Sequence, residues 1–364
     1  MEFKELASLV FLHNMDGVGN RTLWKIKQNF ASFQNCLAAD NSDLSASFLL
    51  PAISDRIMQA RHRMDPVKSL QDLLAAGIKI ACVEDADYPS LLAKIHDPPY
   101  LFYYQGELEM LGGLCIAVVG SRKASNYGRT QSRRFGREIA QEGIAVVSGM
   151  ARGIDTEAHR GALEVGGKTV AVLGSGLDVV YPPENKELMQ EIVKQGIVIS
   201  EFPPHTHPEP GNFPIRNRLI SGLSRGVLVV EAQKRSGALI TVDFALEQGR
   251  DVFALPGPIN SKNSEGTNNL IKQGACLVTE INDILGEYKT VFKNADTGGL
   301  CQGDLFQLDD EERIIITAMG YEAVHFDELI YLSGFNIGAL STLLLQMELK
   351  GIIKALPGNY YVKN

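Results

Sequence analysis

A strand-turn-helix segment in the first half of the chain concentrates positive charge beside glycine. Two apolar runs, Leu114 to Gly120 and Ile144 to Gly149, flank the sequence GSRKASNYGRTQSRRFGR, which holds six cations and no acid. A buried strand followed by a Gly-Ser turn and a helix presents backbone N–H groups to a phosphate. A small nucleotide needs one or two positive side chains, whereas a polyanion on the surface is met by a row of them. The segment therefore predicts a phosphate site and favours nucleic acid as its ligand.

The first turn combines three kinds of phosphate contact. Gly120 lets a ligand approach the backbone, Ser121 offers a hydroxyl donor, and Arg122 offers a bidentate, charge-assisted contact. The carboxyl end of a strand is also where open α/β sheets bind their ligands. These three residues are the first members of the predicted site.

A second turn, SGMARGID, repeats the design. Gly149 and Gly153 free the backbone, Arg152 adds charge, and Asp155 is suited to capping the next helix. Asp155 and His159 are four residues apart on one helix face, a spacing that suits a metal or an acid–base pair. Capping and packing explain them more simply, because no third metal ligand lies nearby in the sequence, and we predict no metal site.

Turns at two further strand ends extend the predicted site. The run TVAVLG ends in Gly174 and is followed by Ser175, and Lys168 precedes the same strand within reach of the rim. After the run VLVVE, the segment AQKRSG opens a helix and supplies Lys234, Ser236 and Gly237. Each turn again brings backbone donors to a strand end.

The longest informative loop carries amide, aromatic and guanidinium groups at one loop-to-helix junction. They are Asn212, Phe213, Arg216, Asn217 and Arg218. A ring that stacks on a base, arginines on phosphates and amides on base edges are the groups that bind single strands. The preceding His-x-His pair, His205 and His207, has no cysteine partner, so we expect it to face solvent and not to bind zinc.

Length and composition limit the class of protein. A chain of 364 residues, 45% of them hydrophobic, can bury more than one core, so we expect two or three domains. The formal net charge of -8 restricts any nucleic-acid surface to a local patch. Five scattered cysteines without a CxxC pair are typical of reduced thiols, and the N-terminal apolar stretch is too short for a membrane span. We expect a soluble, cytoplasmic protein.

Strand, turn and helix patterns alternate from Leu114 onward. Near-continuous apolar runs recur at IAVV, IAVVS, TVAVLG, IVIS, VLVVE, DVFALP and ACLV, each beside a helical stretch. Parallel strands buried on both faces need such runs. Residues 113–288 are therefore predicted to form an α/β domain with a Rossmann-like, doubly wound, mostly parallel sheet.

The segments before and after this sheet are predicted from periodicity and composition. Helical spacing predicts a helical, SAM-like domain over residues 1–76. Within it, the turn Asp16-Gly17-Val18-Gly19 resembles a helix-hairpin-helix turn, and a plain glycine turn between two packed helices is the alternative. Residues 77–112, rich in proline and aromatic residues, are predicted as an extended connector, and residues 289–304 as a flexible linker.

Residues 305–364 have the order of a winged-helix domain. Three predicted helices, Asp309 to Met319, Phe326 to Leu332 and Asn336 to Lys350, precede a hairpin with a Pro-Gly-Asn turn. Four bases stand against eight acids from Leu305 onward, and the third helix is mostly apolar. An acidic module repels a phosphate backbone, so protein contact is favoured over DNA reading.

Several long blocks together resemble the bacterial DNA-processing proteins of the DprA (Smf) family. They include VVGSRKAS, VSGMARGIDTEAHRGAL, TVAVLGSGLDVVYPPEN, GNFPIRNRLISGLS and VLVVEAQKRSGALITVDFALEQGRDVFALPG, and they span about Pro89 to Leu285. The resemblance implies a homodimer that binds single-stranded DNA during natural transformation, cooperates with single-strand-binding protein and loads the RecA recombinase. It implies neither catalysis nor a cofactor.

The resemblance also implies where the strand binds. In the family a positive pocket on the Rossmann-like domain holds the DNA, and the matching residues here are Arg122 and the block Asn212 to Arg218. The stretch Gln233-Lys234-Arg235 departs from the family pattern, which more often has smaller or acidic residues there. Lys234 therefore stays open as a contact.

Two other functions stay open on the sequence alone. A nucleotide hydrolase of the lysine-decarboxylase-like superfamily shares the Gly-Ser-Arg turn but needs a Pro-Gly-Gly-x-Gly-Thr loop and a glutamate. Here the stretch reads KRSGALIT, with Glu247 as the candidate carboxylate. A transcription regulator would sense a nucleotide at the sheet and read operators with its winged helix, which the acidity of that module disfavours.

Overall fold

Six short helices precede the first strand, as the helical spacing of the N-terminal segment predicts. A computed structural model of the protein describes residues 1–295, 324–349, 353–356 and 358–363, with the single positions 311, 314, 315 and 319. The helices are α1 (Phe3–His13), α2 (Asn20–Phe30), α3 (Phe33–Ala38), α4 (Asn41–Ala46), α5 (Pro51–Ala60) and α6 (Pro66–Ala75). The turn between α1 and α2 holds Gly17 at φ +88°, which glycine adopts without strain.

The central sheet has nine strands in the order β1-β2-β6-β5-β4-β3-β7-β8-β9. The strands are β1 (Lys79–Cys82), β2 (Leu101–Gly106), β3 (Cys115–Val119), β4 (Ala145–Ser148), β5 (Thr169–Val172), β6 (Ile197–Ser200), β7 (Gly226–Val229), β8 (Asp251–Ala254) and β9 (Cys276–Leu277). The seven strands β6-β5-β4-β3-β7-β8-β9 are each parallel to their neighbours in this order. Strand β2 is antiparallel both to β1 and to β6. All seven strands predicted after Leu114 are present, and the Rossmann-like, doubly wound sheet is confirmed.

Helices cover both faces of this sheet. They are α7 (Ser90–Ala93), α8 (Asn126–Gln141), α9 (Ile154–Glu164), α10 (Lys186–Gln195), α11 (Asn212–Gly222), α12 (Gly237–Glu247), α13 (Glu265–Lys272) and α14 (Ile281–Ala295). Leu219 of α11 and Val242 of α12 pack in one apolar cluster with Ala117 and Val119 of β3. On the other face, α10 shares a cluster with the N-terminal helices, so the helical segment and the sheet form one compact unit, Met1–Tyr288.

The segment 77–112 differs from the extended connector that the sequence predicts. Strands β1 and β2 pair along their length, with Lys79 opposite Tyr104 and Cys82 opposite Leu101. Phe102 and Tyr103 are both fully buried, and because successive side chains of a strand point to opposite faces, they pack on the two sides of the sheet. The proline-rich sequence that suggested a connector is the loop between the edge strand β1 and its neighbour β2.

The second unit, Lys289–Asn364, contains a winged-helix domain. Its described elements are β10 (Val324–His325), α15 (Phe326–Ser333), α16 (Ile337–Leu349), β11 (Ile353–Leu356) and β12 (Tyr360–Lys363), and the three strands form an antiparallel sheet in the order β10-β12-β11. Helix α14 continues to Ala295 and so includes the start of the predicted linker. The rest of that linker and most of the predicted helix Asp309 to Met319 lie outside the described residues.

No single helix among the described residues is long and apolar enough to cross a bilayer. The pair formed by α15 and residues 337–348 meets the criterion together by length and composition, but it bends by 109° at the break.

Candidate nucleic-acid interface

A cavity of about 670 Å³ opens at the carboxyl ends of β3 and β7. These two strands are parallel neighbours from which the chain winds in opposite directions along the sheet. Such a topological switch point is where open α/β sheets bind ligands. Eight predicted site residues line it: Gly120, Ser121, Arg122, Phe213, Arg216, Asn217, Ser236 and Gly237.

The turn after β3 is held against the end of β7. The Ser121 backbone N–H donates to the Glu231 carbonyl at 2.8 Å, so this amide is already used within the fold. The Glu231 carboxylate accepts from the Ser125 backbone N–H at 2.9 Å, and the Ser125 hydroxyl caps α8 by accepting from Gly128. A Cβ on Gly120 would come within 2.6 Å of the Ile154 side chain. Glycine is therefore needed here for close packing of the turn.

The exposed guanidinium of Arg122 stacks on an aromatic ring of the cavity wall. Its central carbon lies 4.8 Å from the centroid of Phe213, and that of Arg216 lies 5.9 Å from the same centroid. Phe213 also contacts Gly174, where a Cβ would come within 3.0 Å of the ring, and its centroid is 5.6 Å from that of Tyr181. Phe213 thus supports Arg122 at the mouth of the cavity, and Gly174 leaves room for the ring.

Arg216 forms the floor of the cavity and is 3% exposed. Its Nη1 donates to the Gly149 carbonyl at 2.8 Å and also to the Val172 carbonyl. Burial lowers the pKa of Arg216 to about 10, and the neighbouring Asp155 carboxylate opposes that shift. A Cβ on Gly149 would meet the Arg216 guanidinium at 2.7 Å, so this glycine makes space for the arginine.

Asp155 lines the cavity from the start of α9. Its carboxylate accepts from the Gly149 and Ala151 backbone N–H groups at 3.2 and 3.4 Å, and so it holds the preceding loop, whereas Gly153 occupies the N-cap. Burial raises the pKa of Asp155 to about 6, and Arg216 opposes the rise. His159 is fully buried with Nδ1 2.7 Å from the Thr169 hydroxyl, in the packing role that the sequence favours.

The structure places two predicted contacts, Arg218 and Lys168, away from the cavity lining. Arg218 is buried, and its Nη2 lies 2.5 Å from both carboxylate oxygens of Glu201, with Asp97 3.8 Å from its Nε. It is therefore an internal ion-pair partner. Lys168 precedes β5, so it lies at the amino end of a parallel strand, on the edge of the sheet opposite the cavity.

Seven other predicted members lie outside the cavity lining: Gly149 and Gly174, described above, and Arg152, Gly153, Ser175, Asn212 and Lys234. Exposed Arg152 pairs with Glu184, and the Ser175 hydroxyl donates to the Val179 carbonyl at 2.8 Å. Asn212 begins α11 and donates to the His207 carbonyl at 3.3 Å, and Lys234 is exposed beside the rim. Gly153 permits the close approach of the second turn to the first, because a Cβ added at this position would lie 2.4 Å from the Ser121 carbonyl oxygen.

Several residues of the lining are not among the predicted contacts. Lys123, Tyr181, Gln233 and Arg235 all contribute to the cavity. Lys123 and Arg235 stand directly beside predicted members, so the cationic segments GSRK and QKRSG already contained the signal. Tyr181 had no comparable signal, because it reaches the cavity from the loop after β5.

The row of six cations after β3 is divided between different environments. Arg122 and Lys123 line the cavity. Arg133 pairs with Glu157 and Glu164, and Arg134 pairs with Glu138. Arg129 and Arg137 are exposed on α8. The row therefore does not form one uninterrupted anion-binding surface.

Within the described residues, no group of three or more histidine, cysteine or carboxylate side chains is arranged to hold a metal ion. His205 is 90% exposed, as expected, and pairs with Asp178 at 2.5 Å. Glu247, the candidate carboxylate of a hydrolase, is exposed at the end of α12 and does not line the cavity.

The fold and the cavity define a Rossmann-like α/β protein with a cationic ligand site and an appended winged-helix domain. The family profile for DNA recombination-mediator protein A matches residues 79–289, and that for the DprA winged helix domain matches residues 303–359. The chain belongs to the DprA (Smf) family of DNA-processing proteins.

Relatives support this assignment over the whole chain. Protein Smf of Synechocystis sp. is 34% identical over 395 residues, covering 99% of both proteins, and Protein Smf of Escherichia coli is 43% identical over 284 residues, covering 75% of this chain and 74% of its own. The X-ray structure of DNA processing protein A from Streptococcus pneumoniae, 37% identical, superposes with a TM-score of 0.67 over 79% of this chain and 98% of its own. DNA processing protein A of Helicobacter pylori, whose structure is described for its single-stranded DNA binding mode, is 30% identical with a TM-score of 0.53 over 59% of this chain and 97% of its own.

Proposed function

We propose that this chain binds single-stranded DNA through the cavity at the carboxyl ends of β3 and β7. The observation that carries the proposal is the stack of Arg122 on Phe213 above the buried cation Arg216. A guanidinium held on a ring offers a charge to phosphate and a flat surface to a base. The reported strand-binding mode of the Helicobacter pylori relative supports the same ligand class.

The proposal also makes the chain a binding protein and not an enzyme. Asp155 is the one carboxylate among the lining residues, and its Oδ2 accepts from two backbone amides beside Arg216. A hydrolase needs a carboxylate that can reach a water or a substrate proton, and the exposed Glu247 is not in the cavity. This arrangement favours holding a strand over cleaving a nucleotide.

We further propose that bound strands are passed to the RecA recombinase during natural transformation, in cooperation with single-strand-binding protein and with the chain as a homodimer in the cytoplasm. The family's description as a recombination mediator supports this role. A mediator must hold a strand without covering it completely, and a compact cavity at one edge of a sheet suits that requirement.

A competition experiment tests the binding step. A labelled oligo-dT is displaced by unlabelled single-stranded DNA, duplex DNA of the same sequence or mononucleotide, with fluorescence anisotropy as the readout. We expect the single strand to compete best and its affinity to fall steeply with salt, by about 0.7 log units per log unit of salt for each phosphate contact. Equal competition by mononucleotide, or a flat salt dependence, would refute the proposal.

Matched variants assign the binding to the cavity. Arg122→Ala is expected to weaken single-strand binding about tenfold and to flatten the salt slope, because it removes a charged contact at the mouth. Lys168→Ala removes the same charge from the opposite edge of the sheet and is expected to leave both quantities unchanged.

The transfer step needs its own assay. Single-stranded circular DNA is first covered with single-strand-binding protein, and RecA assembly is followed through its DNA-dependent ATP hydrolysis. The full chain is expected to shorten the lag, and Arg122→Ala is expected to lose most of that effect. Sedimentation equilibrium of the same preparation checks the homodimer.

A further inference from the structure

Two exposed arginines on α8 have no place in the cavity described above. Arg129 and Arg137 are eight residues apart on the outer surface of the helix, about 12 Å along its axis at 1.5 Å per residue. Among the described residues, no carboxylate lies within ion-pair distance of either guanidinium. Arg133, which lies between them on the helix, forms ion pairs with Glu157 and Glu164.

The position of α8 connects these cations to the cavity. The helix begins at Asn126, three residues after Lys123, which lines the cavity together with Arg122. The residues from Asn126 to Arg137 include no acid, and the opposite side of the helix is buried through Phe135 and Ile139. The exposed side of α8 therefore carries Arg129 and Arg137, one on each side of the paired Arg133, along a helix that leads away from the mouth of the cavity.

We propose that the strand held in the cavity continues along the outer face of α8, where Arg129 and Arg137 contact its phosphates. This inference rests on the proposed function and names the path of the ligand beyond the cavity. Long side chains with exposed guanidinium groups suit phosphate contacts that carry no sequence information. The site would add affinity for long strands while a short strand fills the cavity alone.

The test compares two lengths of oligo-dT on the full chain. One oligonucleotide of about six nucleotides is short enough for the cavity, and one of about twenty-five nucleotides extends past it. The variant Arg129→Gln/Arg137→Gln removes both helix cations. The matched control Lys186→Gln/Lys194→Gln removes two exposed lysines with the same eight-residue spacing from α10. Both variants change the net charge equally, so a general effect of charge is controlled.

The inference predicts a length-dependent loss. The α8 variant should bind the long oligonucleotide about fivefold to tenfold more weakly, with a salt slope lower by about 1.4, and bind the short one like the unchanged protein. The α10 control should bind both like the unchanged protein. Unaltered long-strand affinity in the α8 variant, equal losses for both lengths, or equal losses in the control would each overturn the inference. Failure of the unchanged protein to bind either oligonucleotide would instead refute the proposed function, and this path with it.

Discussion

Arg218 and Glu201 form a buried ion pair in which one guanidinium nitrogen lies 2.5 Å from both carboxylate oxygens. Removing one partner of such a pair leaves an uncompensated charge in the interior. We expect Arg218→Met to lower the free energy of unfolding by about 3–5 kcal/mol, measured by urea denaturation. The double variant Arg218→Met/Glu201→Leu should recover most of that loss, because neither buried charge of the pair is then left alone.

Strand binding separates this structural role from a contact role. The folded fraction of Arg218→Met is expected to bind single-stranded DNA with the affinity of the unchanged protein. A stable variant with weakened binding would instead make Arg218 a DNA contact, as the sequence predicted.

Phe213 is expected to act through Arg122. Replacing the ring by Phe213→Leu removes the stacking partner 4.8 Å from the guanidinium carbon while keeping an apolar side chain. A cation–π contact at an exposed site contributes about 1 kcal/mol, so we expect roughly fivefold weaker binding of oligo-dT in an anisotropy titration. Phe213→Tyr keeps the ring and should bind normally. In the background of Arg122→Ala, Phe213→Leu should have a smaller effect, and full additivity of the two losses would show that the residues act separately.

The difference between Arg216 and Arg218 marks a limit of prediction from sequence. Residues two apart on a helix point in different directions, so only one of the two arginines can face the cavity. Both look alike in the block NFPIRNR, and the phase of α11 is set by how Leu219 and Ile220 pack beneath it. The sequence therefore predicts that this helix contributes to the site but not which arginine does.

Other parts of the fold were predictable for a clear physical reason. Seven strands of the sheet are near-continuous apolar runs, and parallel strands bring their carboxyl ends to one edge, which explains why separate glycine turns meet at one cavity. Lys168 does not reach this edge, because it precedes β5 and so lies at the amino end of a parallel strand. β1 and β2 were not recognised, because the proline-rich loop between them made the whole segment resemble an extended connector.

Gly149 offers a test of how the cavity floor is built. In Gly149→Ala the new methyl group would meet the Arg216 guanidinium at 2.7 Å, so the arginine must shift. Overpacking of this kind costs about 1–3 kcal/mol, and we expect both a lower urea midpoint and weaker strand binding. Gly211→Ala is the matched control, because the new methyl group at this position would have no neighbouring heavy atom within 4 Å among the described residues. Equal stability of the two variants would contradict the assigned role of Gly149.

His13 is expected to make stability depend on pH. The imidazole is buried with Nδ1 3.0 Å from the Tyr103 hydroxyl, and burial lowers its pKa to about 4. The unfolded chain therefore binds a proton that the folded chain does not, and stability is lost as pH falls from about 6.5 towards 4. Between pH 7 and pH 5 this residue should account for about 2 kcal/mol of lost unfolding free energy.

The variant His13→Gln removes that titration. Its unfolding free energy is expected to change less between pH 7 and pH 5 than that of the unchanged protein, by about 2 kcal/mol, whatever its stability at pH 7. The exposed His62→Gln serves as the control and should keep the full pH dependence. An identical slope in all three proteins would rule out a buried neutral His13.

The winged-helix domain is expected to be dispensable for strand binding. Every residue that lines the cavity belongs to the unit Met1–Tyr288, and the segment from Leu305 onward carries twice as many acids as bases. An acidic module adds no favourable phosphate contact, so deleting residues 305–364 should leave oligo-dT affinity within about threefold of the full chain in an anisotropy titration. A tenfold loss, about 1.4 kcal/mol, would mean that this domain contributes directly to the strand site. If affinity is retained while RecA loading on covered strands is lost, the domain acts on protein partners, as its net charge favours.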